Sequence, residues 1–89
     1  MCTRVAVMAI VVDKPEASPR LNSLLHDYSE FIIGRMGIPY REKNISIVSV
    51  AIDAAQDTIS SLAGKLGNID GVSVKTAYSK VFGEKPVQK

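Results

Sequence analysis

Residues 4–13 read Arg-Val-Ala-Val-Met-Ala-Ile-Val-Val-Asp, and this stretch decides the fold of the chain. β-Branched residues dominate it, so we predict a β-strand from Arg4 to Asp13. Alternate residues of a strand point to opposite faces, and here both sets of alternate residues are apolar. A strand of this kind lies in the interior of a sheet, because there both of its faces are covered.

The remaining strands follow from the same reasoning. The stretch from Asn44 to Asp53 is also apolar on both faces and predicts a second interior strand. Two further strands are predicted from Ser29 to Arg35 and from Val72 to Ser79. These two carry more polar residues, which favours positions at the edges of the sheet.

Two amphipathic helices separate the strands. Apolar residues recur at the spacing i, i+3, i+4, i+7, which places them on one face of a helix. They are Leu21, Leu24, Leu25 and Tyr28 in the first helix, and Ile59, Leu62, Ala63 and Leu66 in the second. Ser18 is the predicted N-cap of the first helix, followed by Pro19, and the second helix begins near Ala55. Gly67 fits a left-handed conformation just past that helix, and Asp70-Gly71 predicts a turn.

The resulting order, β-α-β-β-α-β, predicts an α+β fold of the ferredoxin-like type. Two right-handed crossovers place both helices on one face of a four-stranded antiparallel sheet with strand order 4-1-3-2. The two strands that are apolar on both faces are then the central pair. We expect one domain over residues 1–80, followed by a C-terminal tail over residues 81–89.

The predicted sheet has a face that the two helices do not reach, and the central strands are apolar there as well. A large uncovered apolar surface is unusual on a monomer. We therefore predict a homodimer or higher oligomer that covers this face or extends an edge of the sheet. The alternative is that the short tail folds over the face.

Composition narrows the function without naming it. The chain has 89 residues, a net charge of +2, one cysteine and one histidine. The charge is too small to indicate nucleic-acid binding, and the apolar run Val5–Val12 is much shorter than the ~20 residues of a membrane span. We expect no membrane association. A single cysteine cannot form an internal disulfide, which suits a cytoplasmic protein.

The sequence shows neither a nucleophile with a neighbouring base nor a set of metal ligands. A nucleophile needs a neighbouring base, but His26 is predicted on the exposed side of the first helix and Cys2 before the first strand. Metal sites need three or four ligands at short spacing, and these two residues do not supply them. We expect no catalytic residue, no metal site and no cofactor, and therefore no enzyme activity.

The segment from Gly34 to Lys43 has the richest chemistry. It is predicted to be a loop, because Gly37 and Pro39 interrupt regular structure. Guanidinium groups on a pliant backbone can bind a carboxylate or a phosphate. We therefore place a candidate site for a small anionic effector here, and the residues that form it are Gly34, Arg35, Tyr40 and Arg41. The alternative is a hairpin connection with solvated basic residues.

Three stretches together resemble a known family, namely residues 4–13, 34–43 and 63–72. They are similar to the small bacterial proteins proposed to regulate the iron-only hydrogenase system, which have an ACT-like ferredoxin fold. The resemblance covers roughly residues 4 to 80. It implies a regulatory role in hydrogenase expression or assembly, and similarity to the ligand-sensing half of the nickel-responsive repressor, which assembles through its sheets.

Two departures limit what the resemblance implies. The chain lacks the histidine-rich metal site of the nickel repressor, so nickel sensing is not expected. Only residues 1–3 precede the first predicted strand, so we expect no direct DNA binding. A glycine of amino-acid-binding ACT domains is also missing from the first loop, where residues 13–17 read Asp-Lys-Pro-Glu-Ala.

Three functions remain after this comparison. The leading hypothesis is a non-enzymatic regulatory homo-oligomer that binds a small effector or a partner protein. The second is a structural assembly domain without a small ligand. The third is an acylphosphatase-like enzyme, which the same topology can support but for which the glycine-rich phosphate loop is missing.

Overall fold

The computed structural model of the chain describes residues 2–84 and has the predicted element order. The strands are β1 (Cys2–Val12), β2 (Ile32–Tyr40), β3 (Ile45–Ala54) and β4 (Val72–Glu84). The helices are α1 (Ser18–Asp27) and α2 (Gln56–Gly67). All strand pairs are antiparallel, and the order across the sheet is β2-β3-β1-β4. This is the predicted order read from the other edge, so the ferredoxin-like fold is confirmed.

The core lies between the sheet and the two helices. Met8 and Ile10 of β1 and Val50 and Ile52 of β3 have no exposed surface. The helices cover them with the apolar stripes that the sequence predicts, whose buried members are Leu21, Leu24, Leu25, Ile59, Leu62 and Leu66. Each such side chain contributes about 1.5–3 kcal/mol when it is fully buried. The central pair of strands and the two stripes therefore account for most of the hydrophobic stabilisation.

Strand β2 differs most from its prediction. It begins at Ile32, after a short 3₁₀ turn at Ser29–Phe31, and it continues to Tyr40. The predicted loop is therefore wrong for residues 34–40, which are regular strand paired with β3. Pro39 is accommodated because β2 is an edge strand, and an edge position requires fewer backbone hydrogen bonds than a central one.

Several element ends also differ from the predictions. Ala17, not Ser18, is the N-cap of α1, and no side chain caps that helix. Gly67 is the last residue of α2 and lacks the predicted left-handed conformation, because the helix continues into Asn68 as its C-cap. Cys2 begins β1 rather than preceding it. Strand β4 continues past Ser79 to Glu84, and residues 85–89 of the predicted tail lie outside the described residues.

The turn before β4 is fastened to the end of β1. The Asp13 backbone N–H donates to the Gly71 carbonyl at 2.8 Å, and Lys14 Nζ lies 2.7 Å from Asp70 Oδ2. The Asp70 carboxylate raises the pKa of the Lys14 ammonium through this hydrogen bond. Gly71 has a φ of 88°, and a Cβ atom placed there would lie 2.6 Å from the Cβ of Lys14. Only glycine therefore fits this turn without strain.

We predict that Gly71→Ala destabilises the protein by about 1–3 kcal/mol, because a left-handed backbone and a close contact both oppose the added methyl group. The measurement is urea denaturation followed by circular dichroism. Gly64→Ala is the control, because no atom lies within 4 Å of its added Cβ. Within α2 that change should stabilise the protein by about 0.5–1 kcal/mol. Equal urea midpoints for Gly71→Ala and the wild type would contradict the claim that only glycine fits this turn without strain.

Candidate functional site

The sheet has one face that the helices leave uncovered, which we call the open face. On this face Val7 of β1 pairs with Ala51 of β3. Ile47 of β3 pairs with Val11 of β1 on one side and with Ile38 of β2 on the other. Six of the exposed large hydrophobic side chains point from it, with exposed fractions of 36–61%, namely Val7, Val11, Met36, Ile38, Tyr40 and Ile47. The apolar surface that the sequence predicts is therefore present and is contiguous across β1, β2 and β3.

Charges are sparse on the open face. Among residues 2–80, the charged positions there are Asp53 of β3, opposite Val5, and Lys75 of β4, opposite Ala9. One carboxylate oxygen of Asp53, Oδ1, is buried and accepts no hydrogen bond within the described part of the chain. Buried carboxylate oxygens are normally hydrogen-bonded, so the single chain leaves one hydrogen-bond acceptor without a donor at this end of the open face.

A second feature is a groove on the helix side of the sheet, between α1 and β2. Arg35, Gly37 and Pro39 of β2 line it, because they pair with Val50, Val48 and Ser46 on the covered face of β3. Helix α1 supplies the opposite wall. The groove consists of three adjoining cavities of about 200, 340 and 220 Å³. The first shares Asn22 and Arg35 with the second, and it shares Val12, Ser18, Pro39 and Ser46 with the third. We call it the α1–β2 groove.

The α1–β2 groove is basic. Arg35, Arg41 and His26 line its three cavities, and no aspartate or glutamate does. Arg35 Nη2 donates a hydrogen bond to Asn22 Oδ1 at 3.0 Å, which orients the guanidinium toward α1. A site with two guanidinium groups and no carboxylate attracts anions rather than cations.

The structure separates the four residues of the predicted site. Gly34 and Tyr40 lie on the open face, and Tyr40 Oη donates to Glu42 Oε2 at 3.2 Å. Arg35 lies on the opposite face in the α1–β2 groove, and Arg41 follows β2 at the far end of the same groove. Two of the four residues therefore share one groove, because neighbouring residues of a strand alternate between its faces.

Sequence reasoning missed the other polar groups of the groove. They include Ser18 and Asn22 of α1, which lie well before residue 34 in the chain, and Ser46 of β3, which lies three residues after Lys43. Each has an ordinary role in a helix or strand, so no local pattern singles it out. The alternation of side chains along a strand is the signal that could have found this groove. If β2 extends to Tyr40, residues 35, 37 and 39 must face the helices.

Residues 2–84 contain neither a metal-ligand cluster nor a helix that could span a membrane. In residues 2–84, no three histidine, cysteine, aspartate or glutamate side chains come together as a metal site would require. None of the helices in this range has both the length and the apolar character needed to span a bilayer.

The strand order and the two one-sided helices define a ferredoxin-like α+β protein. Residues 4–76 match the model of the TM1266-like family, described as a proposed iron-only hydrogenase system regulator. The chain is 44% identical to protein TM1266 from Thermotoga maritima, with a TM-score of 0.84, and the match covers 88% of this chain and 99% of the other. The chain belongs to the TM1266-like family.

More distant structures share the fold alone. The C-terminal domain of MgtC from Mycobacterium tuberculosis is 10% identical, with a TM-score of 0.69, and the match covers 86% of this chain and 88% of that domain. A formyltetrahydrofolate deformylase from Pseudomonas putida is 9% identical, with a TM-score of 0.59, covering 82% of this chain and 28% of the enzyme. No curated protein matches the chain.

A cluster of three polar side chains joins α1 to α2. Lys65 Nζ donates to Tyr28 Oη at 2.9 Å, and the hydroxyls of Tyr28 and Ser61 lie 3.2 Å apart. The hydrogen bond from Lys65, followed by that from Ser61, lowers the pKa of the Tyr28 phenol. None of the three residues lines the groove cavities, so we interpret the cluster as a contact between the two helices.

We predict that Lys65→Met raises the pKa of Tyr28, because it removes the donor that favours the phenolate. The measurement is an ultraviolet titration of the phenol in a Tyr40→Phe, Tyr78→Phe background, where Tyr28 is the remaining tyrosine of the three. The midpoint should lie below about 10 before the change and move toward that value after it. Lys14→Met is the control and should leave the midpoint unchanged. An unshifted midpoint in Lys65→Met would show that Lys65 does not act on the phenol.

Proposed function

We propose that the chain is a non-enzymatic regulator of the iron-only hydrogenase system that works as a homo-oligomer and binds a small effector or a partner protein. The observation that carries the proposal is the open face, where large hydrophobic side chains are exposed on three neighbouring strands. Family membership supports the regulatory role.

A second copy of this chain is the occupant that suits the open face best. With strands about 4.8 Å apart and a rise of about 3.3 Å per residue, four strands present roughly 500 Å² in projection. Two copies face to face would together remove at least about 1,000 Å² from water, which reaches the size of a specific interface. The surface is apolar and nearly free of charge, so it is complementary to itself. A two-fold dimer uses one such surface on each copy.

The effector site belongs to the same proposal. Arg35 and Arg41 share the basic α1–β2 groove, which supports an anionic effector bound on the helix side. Gly34 and Tyr40 lie on the open face, so in an oligomer they would contact the second copy instead. Strand β2 therefore contributes one face to the effector and the other to assembly.

The non-enzymatic assignment rests on the positions of the reactive groups. His26 is exposed on α1, whereas Cys2 is exposed at the start of β1, in a different part of the fold. These two groups therefore do not form a nucleophile–base pair with each other. We propose a cytoplasmic location, which the single cysteine supports.

The second candidate function is a structural assembly domain without a small ligand. The open face favours it, because that surface would drive association whether or not the groove is filled. The two candidates differ in what an intact oligomer carries. Native mass spectrometry of protein purified without stripping would show an added small mass only for the effector-binding regulator.

We predict that the wild-type protein is oligomeric and that Met36→Glu makes it monomeric. Met36 is 61% exposed on β2, so the change should cost the single chain little stability while it places a charge in the apolar interface. The measurement is sedimentation velocity at several concentrations. Ser60→Glu on the exposed side of α2 is the matched control and should stay oligomeric. A wild-type monomer at all concentrations would refute assembly through the open face.

A further inference from the structure

We infer that the α1–β2 groove binds a small carboxylate with a short apolar body, an inference that rests on the proposed effector function and gives its ligand a chemical class. The groove combines a basic end, three uncharged polar groups and an apolar wall. These features come from α1 and from the strands β1, β2 and β3, so the site exists only in the folded chain.

The anionic end of the ligand is recognised by Arg35. Its guanidinium is held by Asn22 and forms no ion pair with a carboxylate within residues 2–84. A guanidinium carries its donors in a planar fork that matches the two oxygens of a carboxylate. Because Asn22 Oδ1 accepts the bond from Arg35, the amide N–H groups of Asn22 remain able to donate to the same ligand.

The rest of the groove suits a short apolar body. Leu21 of α1, Val12 of β1 and Val48 of β3 form its inner wall and are nearly fully buried, whereas Pro39 of β2 also lines it and is exposed. The hydroxyls of Ser18 and Ser46 lie at the side of this wall. An inorganic anion would leave the exposed Pro39 ring in contact with water, whereas a branched carboxylate would cover it.

The size of the cavity limits the ligand. The part that contains Arg35, Asn22 and the apolar wall has a volume of about 200 Å³ and adjoins the cavities of about 340 and 220 Å³. Pockets for drug-sized ligands usually measure about 300–1,000 Å³, so this part alone holds a molecule of only a few carbon atoms. Gly37 keeps the cavity open, because no atom lies within 4 Å of the position that its Cβ would occupy. A side chain at residue 37 would therefore enter the cavity without disturbing the fold.

The test is a titration of the full chain with isobutyrate, acetate and inorganic phosphate, followed by ¹H–¹⁵N NMR. We expect saturable shifts for isobutyrate at the amides of Asn22, Gly37 and Ser46, and weaker binding of the two smaller probes. Gly37→Val should abolish the shifts by filling the cavity. Gly64→Val on α2 is its control and should retain them, because no atom lies within 4 Å of the added Cβ and the residue does not line the groove cavities.

Two arginine variants test the charge. Arg35→Gln should weaken isobutyrate binding about tenfold or more, because a charge-assisted hydrogen bond is lost. Arg35→Lys keeps the positive charge but lacks the planar pair of guanidinium donors. Its affinity for isobutyrate should lie between that of Arg35→Gln and that of the wild type. Arg20→Gln removes a charge from α1 outside the groove cavities and should bind as the wild type does.

Three results would overturn the inference. They are the absence of saturable shifts with any probe, unchanged affinity in Arg35→Gln and Gly37→Val, and phosphate binding as tight as that of isobutyrate. Sedimentation velocity on the same samples distinguishes failure of the ligand inference from failure of the proposed function. An oligomer that binds no carboxylate would overturn the ligand class alone, whereas a monomer that binds isobutyrate would confirm the groove and refute assembly through the open face.

Discussion

Two helices can cover only one face of a four-stranded sheet, yet the two central strands of this protein are apolar on both faces. That mismatch is the constraint on which the rest of the structure depends. On the covered side it produces a core in which Met8, Ile10, Val50 and Ile52 are fully buried. On the other side the same strands leave apolar side chains in contact with water. Stability therefore comes from one face, and the second face is available for an interaction outside the single chain.

The central part of the fold could be predicted from the sequence, because there burial and local preference agree. Strands β1 and β3 are rich in β-branched residues, and the stripes of α1 and α2 follow helical spacing, so their order fixes the topology. The prediction failed where tertiary context overrides local preference. Residues 34–40 contain two glycines and a proline, which favour a loop, but pairing with β3 holds them in a strand. Helix ends such as Ser18 and Gly67 depend on contacts that the neighbouring sequence does not reveal.

The candidate site could be predicted only in part for a related reason. The basic character of residues 34–43 is visible in the sequence and directs attention to β2. The grouping of Gly34, Arg35, Tyr40 and Arg41 assumed a loop in which all four side chains could converge. A strand instead sends Arg35 to the helices and Tyr40 to the open face. Asn22, the partner of Arg35, comes from α1, and Ser46 of β3 lines the same cavity, so only the folded topology brings these groups together.

The edge strand β2 also has a consequence for how copies of the chain can meet. A free strand edge can recruit another edge, and repetition of that contact without closure yields fibres. In β2, the register shift between Ile32 and Gly34 distorts the backbone, and Pro39 has no N–H to donate to a new strand. Growth by adding strands at this edge is therefore disfavoured. If two copies pair through the open face, each copy uses its whole apolar face and no further copy can add there. Because the β2 edge resists pairing, the structure favours a closed assembly over an open-ended one.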